Sequence, residues 1–145
     1  MSGARLLAAA TLTLAIAAAR ASAAPPAAPP ALYAAGQAAA GEGAYTASCA
    51  VCHGTRLEGG AGPPLAGEAY ATRTAQEHAR VGDVFATVAR LMPLNAPASL
   101  GPDRSVEIMA YLLQRNGYPA GQTPLTYDGA LRSAAAMTSY GGTAP

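Results

Sequence analysis

Apolar and polar positions follow a helical period along much of this chain, and no stretch shows convincing strand alternation. From Gln37 to Ser48 the composition is helical, with Gly41 and Tyr45 four apart and therefore on one face. That segment runs directly into Cys49-Ala50-Val51-Cys52-His53. Between Gly54 and Gly67 lie Gly59, Gly60, Gly62, Pro63 and Pro64, which predict an irregular loop. A second helix is predicted over about Gln76 to Leu91, where Val81, Val84, Phe85, Val88 and Leu91 form a one-sided apolar stripe. Pro93 ends it, and residues 95–101 read as loop. Pro102 or Asp103 opens a third helix, with Val106, Met109, Ala110 and Leu113 on a buried face and its end near Gly117. Beyond Ala120 the chain is rich in Gly, Ser, Thr and Ala with weak periodicity, which predicts a partly ordered or disordered tail. The expected fold is all-α, with one domain and no repeats.

The start of the chain follows a different pattern. Arg5 precedes an uncharged run from Leu6 to Ala19, followed by Arg20 and the small residues Ala21-Ser22-Ala23. A positive start, a short apolar stretch and an Ala-x-Ala ending describe a secretory signal peptide over residues 1–23. The run falls short of the roughly 18 apolar residues of a spanning helix, so no stable membrane anchor is expected after cleavage. The Pro/Ala-rich stretch at 24–36 reads as a linker, residues 37–121 as the folded domain, and 122–145 as a low-complexity tail. The expected location is the periplasm.

Charge narrows the partners. The chain carries nine arginines and no lysine against eight acids, net +1, and loss of Arg5 and Arg20 brings this to about −1. No basic excess of the kind that binds nucleic acid or an anionic membrane is present. Tryptophan is absent and phenylalanine occurs once, so bulky side chains are few for the length. So thin a core calls for a staple such as a disulfide, a metal or a bound group.

Both cysteines of the chain sit in Cys49-Ala50-Val51-Cys52-His53. A Cys-x-x-Cys disulfide is compatible with export, but thioredoxin-like chemistry wants flanking strands that are missing here. A zinc site needs about four ligands, and the soft donors number Cys49, Cys52, His53 and the distant His78. Cys-x-x-Cys-His is also the attachment signal for c-type haem. Two thiols one helical turn apart can form thioethers to the two vinyl-bearing edges of one porphyrin. The histidine that follows is then held beneath the iron as proximal ligand. This reading also accounts for the thin core.

A second axial ligand decides between electron transfer and an open, ligand-binding iron. The candidates are His78, Met92, Met109 and Met137. Met109 lies within an apolar helical stripe, Met137 in the tail, and His78 beside Glu77 and Arg80 near a helix start. Met92 ends a helix and is followed by Pro93, which fixes how the chain leaves. His53 and Met92 are therefore the expected iron ligands.

The motifs around these residues resemble those of class I monohaem cytochromes c, mitochondrial-type in fold, and in particular small bacterial cytochromes that accompany periplasmic dehydrogenases. The resemblance covers residues 37–121. Gly41-x-x-x-Tyr45-x-x-x-Cys49-x-x-Cys52-His53 is similar to that family's first helix, and Gly62-Pro63-Pro64-Leu65-Ala66-Gly67 resembles its Gly-Pro-x-Leu-x-Gly loop. Met92-Pro93 resembles the distal methionine loop, and Val106 to Asn116 the last helix. The resemblance implies three main helices around one covalently attached haem, with the last helix crossing the first at Gly41 and Tyr45. It implies that the Pro63 carbonyl accepts a hydrogen bond from His53, that Leu65 packs on the haem, and that Cys49 and Cys52 carry it. Arg90 stands where relatives often have a small residue, a position from which it can reach a haem propionate. Neither the tryptophan nor the lysine ring of the mitochondrial branch is present.

The expected function is one-electron transfer from a periplasmic dehydrogenase to a terminal oxidase or another cytochrome, without catalysis by the chain itself. Two other readings stay open: the tightly bound haem subunit of a two-component dehydrogenase acting on, for example, sulfite or an alcohol, and a small peroxidase or gas sensor with an open iron.

Overall fold

The computed structural model describes residues 28–141. The signal peptide expected at 1–23, the start of the linker and the last four residues of the tail lie outside the described residues.

Among the described residues six helices dominate: α1 (Ala35–Ser48), α2 (Ala50–His53), α3 (Gly67–Gln76), α4 (Val81–Leu91), α5 (Gly101–Arg115) and α6 (Tyr127–Leu131). Two short strands, β1 (Tyr33–Ala34) and β2 (Ala120–Gly121), pair in parallel with Tyr33 opposite Ala120. The three helices expected from the apolar pattern are α1, α4 and α5, and the described residues are predominantly helical, as the all-α expectation has it.

The centre of the molecule is the crossing of α1 over α5. Gly41 makes it possible: a Cβ there would run into the Glu107 carbonyl of α5 and lie 2.9 Å from the Tyr111 Cβ. One turn on, the rings of Tyr45 and Tyr111 pack with centroids 5.3 Å apart, tilted by 47°, in the range favoured by aromatic pairs. α5 is buried along Val106, Ile108, Met109, Ala110 and the run Tyr111 to Leu113. α4 packs against α5 and α6 and buries Val81, Phe85, Val88 and Ala89.

Three details depart from the sequence reading. α1 starts at Ala35 rather than Gln37, because the Gln37 side chain accepts the Ala34 N–H at 3.1 Å and closes the first turn. The helix expected from Gln76 is broken: His78 adopts φ 50°, and Arg80 is extended as the N-cap of α4, its N–H donating to the Asp83 carboxylate at 2.9 Å. The tail expected to be partly ordered or disordered beyond Ala120 is packed down as far as Tyr140. It contains β2 and α6, and it buries Leu125, Ala130 and Met137.

Candidate haem-attachment site

α1 hands the chain to α2 at Cys49, and this places the three chemical residues on one turn. The Cys52 and His53 N–H groups both donate to the Cys49 carbonyl, at 3.1 and 2.9 Å. Both thiols are free; Cys49 is half-buried and Cys52 exposed. Burial pushes the Cys49 thiol up from its ordinary range, and the neighbouring Cys52 adds to the effect. Tyr45 locks this turn to the helix crossing, its hydroxyl donating to the Gly54 carbonyl at 2.7 Å inside the core. Burial holds that phenol protonated well above the usual tyrosine range.

The loop after Gly54 folds back under the imidazole. Gly62 N–H donates to the Cys52 carbonyl at 2.8 Å and Gly59 N–H to the His53 carbonyl at 2.8 Å. Glu58 stays ionised below the usual carboxylate range, because its own N–H and that of Arg56 bond it. His53 Nδ1 lies 2.8 Å from the Pro63 carbonyl oxygen and donates to it. This fixes the ring orientation and the tautomer, leaving Nε2 as a free lone pair. Gly62 is the seat of the ring: a Cβ there would come within 2.8 to 3.2 Å of three imidazole atoms. The sequence reading took Gly62 only as part of a loop motif and missed this contact.

Two further residues hold the loop. Arg73 on α3 donates to the Pro64 carbonyl at 3.1 Å while its guanidinium lies 5.2 Å over the Tyr70 ring. Asn116, fully buried at the end of α5, donates through Nδ2 to the Leu65 carbonyl at 2.9 Å and the Leu112 carbonyl at 2.8 Å. Asn116 and Arg73 were not among the expected site residues. The only advance signal was a polar side chain at the end of an apolar helix face. Leu65 itself is half-buried and bonds back through its N–H to the Leu57 carbonyl at 2.9 Å.

Met92 lies on another element. It caps the C-terminus of α4 in extended conformation, its N–H donating to the Thr87 carbonyl at 3.2 Å, and its side chain is half-buried. The other distal candidates differ. Met109 and Met137 are buried at 0% and 1% exposure within packed apolar surroundings, and His78 is exposed on the turn before α4. Arg90 is exposed on the last turn of α4. Three large apolar side chains next to the thiols and the methionine in sequence face solvent: Val51 at 85%, Leu91 at 55% and Leu94 at 76%.

The donor set fits haem c. Two unpaired thiols one turn apart, with an imidazole whose Nδ1 is engaged and whose Nε2 is free, are what double thioether attachment and proximal ligation require. It does not fit zinc, since among the described residues no group of three or more His, Cys, Asp and Glu side chains gathers. No helix among the described residues is long and apolar enough to cross a membrane.

Comparison with known proteins agrees with this geometry. The family described as cytochrome c oxidase, cbb3-type, subunit III matches residues 36–112. A chain in the crystal structure of the sulfane dehydrogenase SoxCD from Paracoccus pantotrophus is similar at 28% identity and a TM-score of 0.50, over 66% of this chain and 51% of that one. The present chain thus spans about half the length of that relative. No curated protein matches. A cytochrome c domain implies haem c carried on the cysteine pair, here Cys49 and Cys52, and a role in electron transfer. The chain belongs to the family of the cbb3-type cytochrome c oxidase subunit III domain, and it is a class I monohaem c-type cytochrome.

Proposed function

We propose that this protein is a periplasmic one-electron carrier in which His53 and Met92 are the axial ligands of haem c attached at Cys49 and Cys52. The observation that carries the reading is the His53–Pro63 hydrogen bond at 2.8 Å, which leaves Nε2 free beside two unpaired thiols. Haem c, when bound, supplies an iron that gains and loses one electron between Fe(III) and Fe(II). The chain's own residues set the terms of that exchange. Pro63 and Gly62 hold the imidazole in one orientation, so little of the proximal side need move between oxidation states. Met92 supplies a thioether, a ligand that raises the potential relative to a second histidine and keeps small molecules off the iron. Leu65 would pack against the same group.

The surface bears on how partners dock. With no lysine and a net charge near zero, long-range steering is weak. Val51, Leu91 and Leu94 are exposed apolar side chains on which a redox partner can dock. The likeness to a chain of a sulfane dehydrogenase supports a dehydrogenase as donor, and in this reading the acceptor is a terminal oxidase or a further cytochrome. Export by a signal peptide over residues 1–23 places the protein where such partners lie. The same likeness favours a second reading, a haem subunit that stays bound to its dehydrogenase. Co-elution with the donor at nanomolar concentration in size exclusion supports the bound subunit, and separate elution supports the free carrier.

The axial assignment is tested by Met92→Ala. The variant is expected to keep its covalent haem, to lose the methionine-to-iron charge-transfer band in the oxidised state, and to bind carbon monoxide when reduced. An unchanged band in that variant contradicts Met92 as ligand. Tight carbon monoxide binding by the unaltered protein favours the peroxidase or gas-sensor reading instead.

A further inference from the structure

The family match ends at residue 112, yet the chain continues into a segment that wraps the domain. β2 pairs with β1, and the Gln37 side chain then binds Leu125 at both backbone groups, donating to its carbonyl and accepting from its N–H, each at 2.8 Å. α6 lies on α4 and α5, with Tyr127 edge-on to Phe85 at 5.0 Å. Past α6 the chain runs along the N-terminus of α4. Two of the N–H groups that a helix start leaves without partners, those of Val81 and Gly82, donate to the Ala135 and Ser133 carbonyls at 2.8 and 3.1 Å. Met137 N–H donates to the Ala79 carbonyl at 2.8 Å. Tyr140 N–H ends the wrap on the Asn116 carbonyl at 2.8 Å, at the residue whose side chain holds Leu65.

We propose that this C-terminal belt, residues 120–141, positions the distal ligand by clamping the start of α4, the helix that carries Met92 at its other end. The proposal rests on the reading of Met92 as axial ligand. α4 is held by α5 on one side and by α6 on another, and its first turn depends on belt carbonyls. Beyond Met92 residues 94–99 are exposed, so the methionine end of α4 is fixed by Val88 and Ala89 in the core and by nothing on its outer side. A helix anchored at one end and carrying a ligand at the other transmits any shift of the anchor to the ligand. Gly82 records how closely the belt approaches: a Cβ there would lie 2.6 Å from the Leu131 carbonyl oxygen and 3.0 Å from that of Ser133. Glycine is the weakest helix former after proline, so its place in the first turn of α4 fits the need for room.

The test uses the full chain with Gly82→Ala and, separately, Tyr127→Ala. Gly82→Ala raises the intrinsic helicity of α4 while pushing the belt away, so a weakened Met92 bond in this variant follows from the clamp and not from a poorer helix. Both variants are expected to retain covalent haem on a denaturing gel. Their methionine-to-iron band is expected to weaken, and reduced protein should bind carbon monoxide roughly ten-fold or more tightly than the unaltered chain. In a Met92→Ala background, Gly82→Ala should leave carbon monoxide affinity unchanged. If the unaltered chain shows the band and both single variants keep it at full strength with no gain in carbon monoxide binding, the clamp is overturned and the ligand assignment stands. If the unaltered chain lacks the band, the ligand assignment fails and the clamp fails with it. If one variant cannot be recovered folded, the other decides.

Discussion

Replacing Gly41 with valine is expected to destabilise the protein by about 3 kcal/mol or more and to lower its melting temperature by roughly 10 °C. The obstacle is backbone against backbone. The new side chain would occupy the space of the Glu107 carbonyl, and α5 cannot yield a carbonyl the way a flexible side chain yields a rotamer. Moving α1 outward instead separates Tyr45 from Tyr111 and strains the Tyr45 bond to Gly54, which holds the turn bearing the thiols. Gly43 is the control, because a Cβ there meets nothing within 4 Å. Gly43→Ala should be neutral or gain up to about 1 kcal/mol from helix propensity. Thermal unfolding followed by circular dichroism reads both, and a Gly41→Val midpoint within a few degrees of the unaltered protein contradicts the crossing as described.

Replacing His53 with alanine is expected to remove most of the stable holoprotein, by roughly ten-fold or more in recovered yield, because in a small core ligand binding and folding share one free energy. Without the imidazole, the Pro63 carbonyl loses its donor and Gly62 its neighbour, so the loop from Gly59 to Leu65 loses the group it is folded around. The two thiols remain, so covalent attachment and axial ligation separate in this variant: residual haem stain is compatible with the account, normal low-spin spectra are not. Gel staining and absorption spectra of the same preparation decide between them.

How much of this was legible beforehand depends on what kind of contact each residue makes. Cys49, Cys52 and His53 were legible because their chemistry depends on adjacency along the chain. The faces of α1, α4 and α5 were legible because their burial has a helical period, except that Leu91, the last member of the α4 stripe, is 55% exposed at the helix end. α3 was not, since it buries only Tyr70 and Thr74 and presents no stripe. The break before α4 was hidden because Asp83 caps the helix from its third position without a Ser, Thr, Asp or Asn at the N-cap. The belt was read as a low-complexity tail for a similar reason. Its anchors are backbone hydrogen bonds and isolated buried residues at Leu125, Ala130 and Met137, and neither leaves a periodic trace. One local signal was available: Thr126 caps α6 by accepting the Gly129 N–H at 3.0 Å. Asn116 is legible in sequence only as the end of the segment that resembles the last helix, since its partner Leu65 lies far away along the chain.

The pairing of His53 with Met92 on a covalently held haem is the central claim, and the absorption spectrum of the exported, unaltered protein tests it most directly. Run beside a haem-stained denaturing gel, it should show retained stain, a low-spin oxidised spectrum with the methionine-to-iron band, and a reduced spectrum unmoved by carbon monoxide. A chain that carries no stain, or a stained one that lacks the methionine band and takes up carbon monoxide readily, contradicts the account.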